Sequence, residues 1–438
     1  MNTSTPATFS RRGFLGIAAA AAAVPLLAAC APGGGGGAAT GGGGSGTLKF
    51  WDMPWGPQSY ADAAKAVTTG YSPASGLPSA SYQQIQWNNF YQTFSSAIAS
   101  KTGPAVSSGA GFQAFQFAEQ GAIAYADDLI ESMRKSGKLD DFLPGTVETM
   151  KTPDGYAAIP WQADYRVLWY RKSLLEQAGV DVPTDWASYI EASKALAKTG
   201  VYGFGIGAGA GNSIGSQALI SLMINNGGGL FDTDQKPDAV TDANIEAMDF
   251  VRELIAVKAV DPGAPSYTAD NIIEQWKTKR IGMGWHTAGL QHLVNDDDVV
   301  VASPLTAYSG GTGTLGYVNN LMMYTNTPSQ EGSEAFLTAY LDDMKMYWDN
   351  KLIDSLPVLK SIVDSEAFQS DAEWVKIIDQ WQPVVKPLSY QAETLFADLA
   401  AVDGGQGLQQ FTQAILGGQT DSKTALEGLQ VELESATS

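Results

Sequence analysis

Residues 156–170 read Tyr-Ala-Ala-Ile-Pro-Trp-Gln-Ala-Asp-Tyr-Arg-Val-Leu-Trp-Tyr, and this stretch constrains the fold more than any other. Its β-formers ask for extended backbone, Pro160 interrupts the ladder, and a helix begins within residues 171–175. An extended segment that carries one charge of each sign, Asp164 and Arg166, among aromatics is a poor core strand and a good wall for a polar cleft. At spacing i, i+2 the two charges share a face, so they can also simply neutralise each other.

The sequence around this stretch alternates β and α. A strand at 48–51 leads to the loop 52–57, a second strand falls near 83–87, and Phe90, Phe94 and Ile98 recur every four residues on a helix that Thr102-Gly103-Pro104 ends. A strand at 105–108 and a helix at 112–120 follow. Beyond the central stretch come a helix at 185–198 that Asp185 can cap, a strand at 203–206, a helical stripe of Ile245, Met248, Val251 and Ile255, and a strand at 281–285. Residues 316–324 form another extended run, followed by a helix at 331–347, and 374–390 leads to a last helical section that ends at 426–433. Such alternation predicts doubly wound α/β lobes with ligands at the carboxyl ends of the strands, and 438 residues suffice for two to three domains.

The first 46 residues have their own logic. Ser10-Arg11-Arg12-Gly13-Phe14-Leu15 resembles a twin-arginine export signal, and the apolar run 17–29 is too short to span a bilayer. That run ends in Leu27-Ala28-Ala29-Cys30, a lipobox, which makes Cys30 the lipidation site, residues 1–29 a signal peptide and the Gly/Ala/Ser-rich 30–46 a flexible linker. Gly16 stands where a twin-arginine signal often has Lys, so general secretion is the other route. Cys30 is the single cysteine, which rules out an intrachain disulfide framework and a cysteine metal cluster.

A formal charge of -20 argues against nucleic acid as a partner. The only histidines, His286 and His292, are spaced i, i+6, and neither a zinc-protease helix motif, a serine elbow nor a P-loop occurs. Gly205-x-Gly207-x-x-Ala210 meets a loosened dinucleotide fingerprint without the acidic residue about twenty positions on, so it reads as a loop. No cofactor or metal is expected. A glycoside hydrolase would need only two carboxylates, and Asp164 with Asp52 or Glu119 is the pair available.

The central stretch extends into Arg-x-Leu-x-Tyr-x-Lys-x-Leu-Leu-x-x-Ala-Gly, ending at Gly179. Residues 156–179 resemble the segment by which family 1 extracellular solute-binding proteins cross between lobes; these are sugar receptors of ABC importers, similar to maltose-binding protein. The resemblance covers residues 48 to about 433, with Ala105 departing from the Asp usual in the family. It implies a two-lobe, type II periplasmic-binding-protein fold, lobe 1 being 47–157 plus about 318–356 and lobe 2 being 158–317 plus about 357–438. The resemblance further implies a monomer held by lipid on the outer face of the cytoplasmic membrane. There it would deliver a carbohydrate, an oligosaccharide by preference, to permease subunits served by a separate ATPase. Peptides and polyamines are the alternative solutes.

In that family the position of Asp164 accepts bonds from sugar hydroxyls, Phe112 and Gln113 sit in a contact loop of the first lobe, and Trp285 with His286 resembles the aromatic platform of the second. Sugar recognition needs flat apolar faces and short polar groups, which adds Met53, Trp55, Trp161, Arg166, Asn212, Gln217, Asn319 and Tyr390 as candidates. Among the eleven tryptophans, Trp51, Trp55, Trp87, Trp161, Trp285 and Trp381 occupy strand ends or loops, whereas Trp276 and Trp348 lie at helical spacings and belong to the core.

Overall fold

In the computed structural model, which describes residues 46–87, 90–392 and 394–438, the central stretch runs as two consecutive strands that belong to different sheets. We number the strands β1 (Leu48–Asp52), β2 (Ala80–Gln84), β3 (Val106–Gly109), β4 (Ile159–Tyr165), β5 (Val167–Arg171), β6 (Met283–His286), β7 (Val299–Val301), β8 (Thr314–Met323), β9 (Leu356–Pro357) and β10 (Val385–Lys386). The first sheet has the order β2-β1-β3-β8-β4-β9, with β10 beside the start of β8. Its β1 pairs parallel with β2 and β3, while β8 runs antiparallel to both β3 and β4. The second sheet places β5 between β6 and β7, antiparallel to each.

Arg166 is the single residue between β4 and β5, so the chain changes sheet there. Its N–H donates to the Leu315 carbonyl at 2.9 Å, and its own carbonyl accepts from the Thr314 hydroxyl. The crossing is thereby stitched to the start of β8, the other long extended run. All of β8 except Val318 is buried. Each sheet carries its own helices, which gives the two-lobe α/β architecture that the alternation predicted.

The helix Ile214–Asn225 is buried at every position but the first and packs against β8, Asp242–Ala256 and Gly407–Gly417. A helix buried all round belongs inside a protein, and two of its polar groups, Ser221 and Gln217, meet the crossing, while Asn225 bonds Trp186 and the Leu305 carbonyl. Ser221 Oγ accepts from the Leu315 N–H at 3.3 Å, and Gln217 meets Arg166. The helix Trp186–Lys198 starts on the cap foreseen for it, Asp185, whose carboxylate accepts from the Ser188 N–H at 2.7 Å.

Some elements differ from expectation. The strand foreseen at 83–87 lies three residues earlier, as β2. The one foreseen at 203–206 shrinks to a bridge between Tyr202 and Ile281, because its glycines bring no side chains to hold a ladder. The helix at 331–347 divides into Gln330–Asp343 and Lys345–Asp349, and a short helix at Ala372–Lys376 passes into a π turn at Ile377–Trp381. Trp276 and Trp348 are core, as foreseen, each 1% exposed. The leader, Cys30 and the linker before Gly46 lie outside the described residues, among which no helix is long and apolar enough to cross a membrane.

Candidate ligand-binding cleft

The loop after β1 is held by a buried carboxyl. Asp52 accepts from Ser108 Oγ at 2.5 Å and from the hydroxyls of Tyr60 at 2.9 Å and Tyr82 at 3.2 Å. Ser108 Oγ accepts in turn from the Met53 N–H at 3.0 Å and the Trp55 indole N–H at 2.9 Å. This relay fixes the Trp55 ring, which lies edge-on to Trp161 at 5.7 Å and to Trp87 at 4.9 Å. Trp87 donates to the Pro54 carbonyl at 3.2 Å and is 40% exposed, so the aromatic run passes from core to surface.

At the crossing, Arg166 Nη1 lies 2.7 Å from Asp164 Oδ1, an ion pair that is not aligned as a hydrogen bond, and both atoms are buried without one. Arg166 Nε donates to Gln217 Oε1 at 2.6 Å, and the guanidinium sits 5.3 Å from the Tyr317 ring centre. Strand register puts Tyr317 opposite Asp164 and Asn319 opposite Gln162, so these four share a face. The ladder then slips between Asn319 and Asn320, a bulge of the kind that re-aims side chains.

Around that bulge buried polar atoms lack partners: both amide atoms of Gln162, Asn320 Oδ1 and Gln113 Nε2. Gln113 spends its other atom on the Ala110 N–H at 3.1 Å. Gly109 lets these amides approach, since a Cβ there would fall 2.2 Å from Met322 Cε and 2.8 Å from Gln113 Oε1. Buried polar groups are ordinarily paired, and each unpaired one costs about 1–3 kcal/mol. A cluster of them marks a place that accommodates a polar molecule.

The remaining candidates fall into two groups. Phe112 packs edge-on to Tyr317 at 5.6 Å and Asn319 is 4% exposed, both beside the crossing. Trp285 and His286 instead line a narrow hollow of about 10 Å³ together with Gly207, Asn212 and Ile214. Trp285 is 3% exposed and packed on Tyr189 and Phe204, and His286 Nδ1 lies 3.0 Å from Thr287 Oγ1. Asn212 is occupied by backbone at both ends, donating to the Tyr267 carbonyl and accepting from the Ile214 N–H. Met53 and Trp161 are fully buried, and Tyr390 lies beside Gly229 with Lys386 over its ring. Trp381, foreseen at a strand end or loop, is 1% exposed and donates to the Ala302 carbonyl inside the second lobe.

Two carboxyls near the crossing escaped sequence reasoning. Asp403 accepts from the Tyr91 hydroxyl at 3.0 Å and feels the charge of Arg166. Asp354 precedes β9 and feels the charge of Asp164. Neither belongs to a periodic pattern that would single it out.

Burial pushes the carboxyls of Asp52 and Asp403 up to about 6 and that of Asp354 up to about 7, while burial and then Arg166 push His286 down to about 3. Between pH 5 and 6, above the range in which the lowered carboxyls of Asp185, Asp296, Asp298, Asp371 and Asp421 titrate, the folded chain therefore holds up to three carboxyl protons that the unfolded chain has lost. His286 opposes this with one proton, leaving a net of about two on the folded side, so stability falls as pH rises through that window. From pH 6 to 7 the excess shrinks as Asp52 and Asp403 finish titrating. Thermal melts of the ligand-free chain are expected to be higher at pH 5 than at pH 7, and a melt that climbs steadily from pH 5 to 7 contradicts these assignments.

Two lobes joined by crossing strands, with unpaired polar groups at the crossing, define a binding protein that holds a solute between lobes. Residues 79–347, more than half of the chain, match the model of the bacterial extracellular solute-binding protein family, and the chain belongs to that family. It is similar to a sugar transporter from Arthrobacter chlorophenolicus whose crystal structure carries laminaribiose, with 54% identity and a TM-score of 0.85 over 89% of this chain and 99% of that one. The fold is shared with maltose-bound MalE3 of T. maritima (19% identity, TM-score 0.74, 89% of this chain and 99% of that one). It is also shared with an ABC transporter solute-binding protein from Thermotoga lettingae bound with α-D-tagatose (19% identity, TM-score 0.74, 90% and 100%). Members of this family act outside the cytoplasmic membrane.

Proposed function

We propose that this chain is the carbohydrate receptor of an ABC importer, closing on an oligosaccharide between its lobes and presenting it to the permease, with energy from a separate ATPase. What carries the reading is the 54% identity, over nearly the full length, to a protein that holds laminaribiose. The unpaired amides at the bulge and the pinned Trp55 support it, because a pyranose offers hydroxyls to the first and an apolar face to the second. Asp164 and Arg166 are the proposed polar centre, with Trp55, Phe112, Gln113, Gln217 and Asn319 around them and Trp285 and His286 on the side of the second lobe. Residues 47–157 with about 318–356, and 158–317 with about 357–438, are the proposed lobes, hinging at the crossings.

The hydrolase reading loses support from the site. Both oxygens of Asp52 are taken by hydroxyls inside the core, and Glu119 lies exposed at the far end of the helix Gln113–Glu119. A thermal-shift panel of mono- and oligosaccharides tests the receptor reading, since a ligand that binds only the native state raises its melt by mass action. Laminaribiose is expected to raise it. A shift with peptides or polyamines and none with any saccharide would move the protein to another substrate class.

The membrane attachment we assign to Cys30, acylated after removal of residues 1–29 in a protein that works as a monomer. Cys30→Ala is expected to move the protein from the membrane fraction to the soluble one and to abolish incorporation of labelled fatty acid. Retention in the membrane would instead make the apolar leader the anchor.

A further inference from the structure

The segment that leads into β9 has its backbone fixed on every side and its polar side chains free. Leu356 pairs with Ala163, so antiparallel register carries Ser355 opposite Asp164 and Asp354 opposite Tyr165. The Asp354 N–H donates to the Trp55 carbonyl at 3.3 Å, and the Ser355 carbonyl accepts from the Trp348 indole at 2.8 Å. Gly289 closes the third side: a Cβ there would lie 2.6–2.7 Å from the Asp354 carbonyl oxygen, Cα and Cβ. Three segments, the loop after β1, the crossing and the turn after β6, therefore meet on this one residue.

Against that rigid backbone, Ser355 Oγ is buried with no hydrogen bond. The Asp354 carboxyl, partly buried, makes no hydrogen bond or ion pair among the described residues, and it feels the charge of Asp164 on the neighbouring strand. A protein gains nothing in stability by holding a carboxyl and a hydroxyl side by side without partners on a fixed backbone, so the two point to a molecule with several hydroxyls. We propose that Ser355, opposite Asp164, and Asp354, where the loop after β1 meets the turn after β6, form a second polar wall of the cleft, and that the Asp354 carboxyl hydrogen-bonds a hydroxyl of the bound saccharide. Burial raises the proton affinity of Asp354, with Asp164 adding to it and His292 opposing, so near neutral pH the group both donates and accepts. A sugar hydroxyl has the same double capacity.

The proposal rests on the carbohydrate reading, and titration of the parent protein with laminaribiose separates the two. If the parent binds laminaribiose, calorimetry on Asp354→Ala is expected to show a loss of about tenfold or more, on Ser355→Ala about threefold, with Asp354→Asn between them. The ligand-free melt of Asp354→Asn is expected at or above that of the parent, because an unpaired, partly buried carboxyl has been removed. Affinity of Asp354→Ala within twofold of the parent overturns the proposal. So does an Asp354→Asn protein that melts lower yet binds as before, which would make the residue structural. A parent that binds neither laminaribiose nor any other saccharide overturns the carbohydrate reading, and this proposal with it, before any variant is compared.

Discussion

Replacing Asp164 with asparagine is expected to lower saccharide affinity about ten- to hundredfold. Asp164 lies on the face that β4 shares with Tyr317, and its carboxylate is 20% exposed beside a guanidinium that is 5% exposed. A charge-assisted hydrogen bond from a ligand hydroxyl contributes about 1.5–3 kcal/mol, and every 1.4 kcal/mol is about tenfold in affinity. The substitution keeps shape and one acceptor while removing the charge. Arg166 keeps Gln217 and the Tyr317 face, so the ligand-free melt is expected to drop only modestly, whereas Asp164→Ala would leave the cation more exposed to the cost of burial without a counter-charge. Calorimetry with paired melts reads both effects. Unchanged affinity alongside a large fall in melt would reduce the pair to a structural one.

Trp161→Ala is expected to destabilise the protein by about 3–5 kcal/mol, the range for deleting a large aromatic from a packed core. Its ring is fully buried and meets Trp55 at 5.7 Å, Tyr340 at 6.3 Å, Tyr347 at 6.4 Å and Trp348 at 6.5 Å. Removing it opens a void directly beneath Trp55, so the binding face softens as well. Trp161→Phe should recover most of the loss. Denaturant unfolding measures the difference, and an alanine variant as stable as its parent but unable to bind would turn Trp161 into a ligand-contacting face.

These two residues also show what the sequence could carry. The crossing was legible through the resemblance of residues 156–179 to a family's crossing segment, since the Asp–Arg pair alone also fits an edge strand, and β4, Arg166 and β5 lie within that stretch. The Asp185 cap was legible because capping is local. What was not legible depends on contacts between distant segments. Asp354 and Ser355 gain their interest from a two-residue strand, β9, whose register against β4 no local pattern announces. Asp52, considered above as a hydrolase carboxylate, proves to be the anchor of the loop that holds Trp55, because three hydroxyls from separate elements converge on it. Tryptophan spacing likewise picked out Trp276 and Trp348 as core, but not Trp161 and Trp381, which β4 and a π turn bury.

Titration of the ligand-free protein with laminaribiose in a calorimeter tests the central claim most directly. The account predicts a saturable one-site isotherm in which heat returns to baseline after each injection and the sugar is recovered intact. Sustained heat flow with release of reducing ends, or no saturable heat with this or any other saccharide, would contradict it.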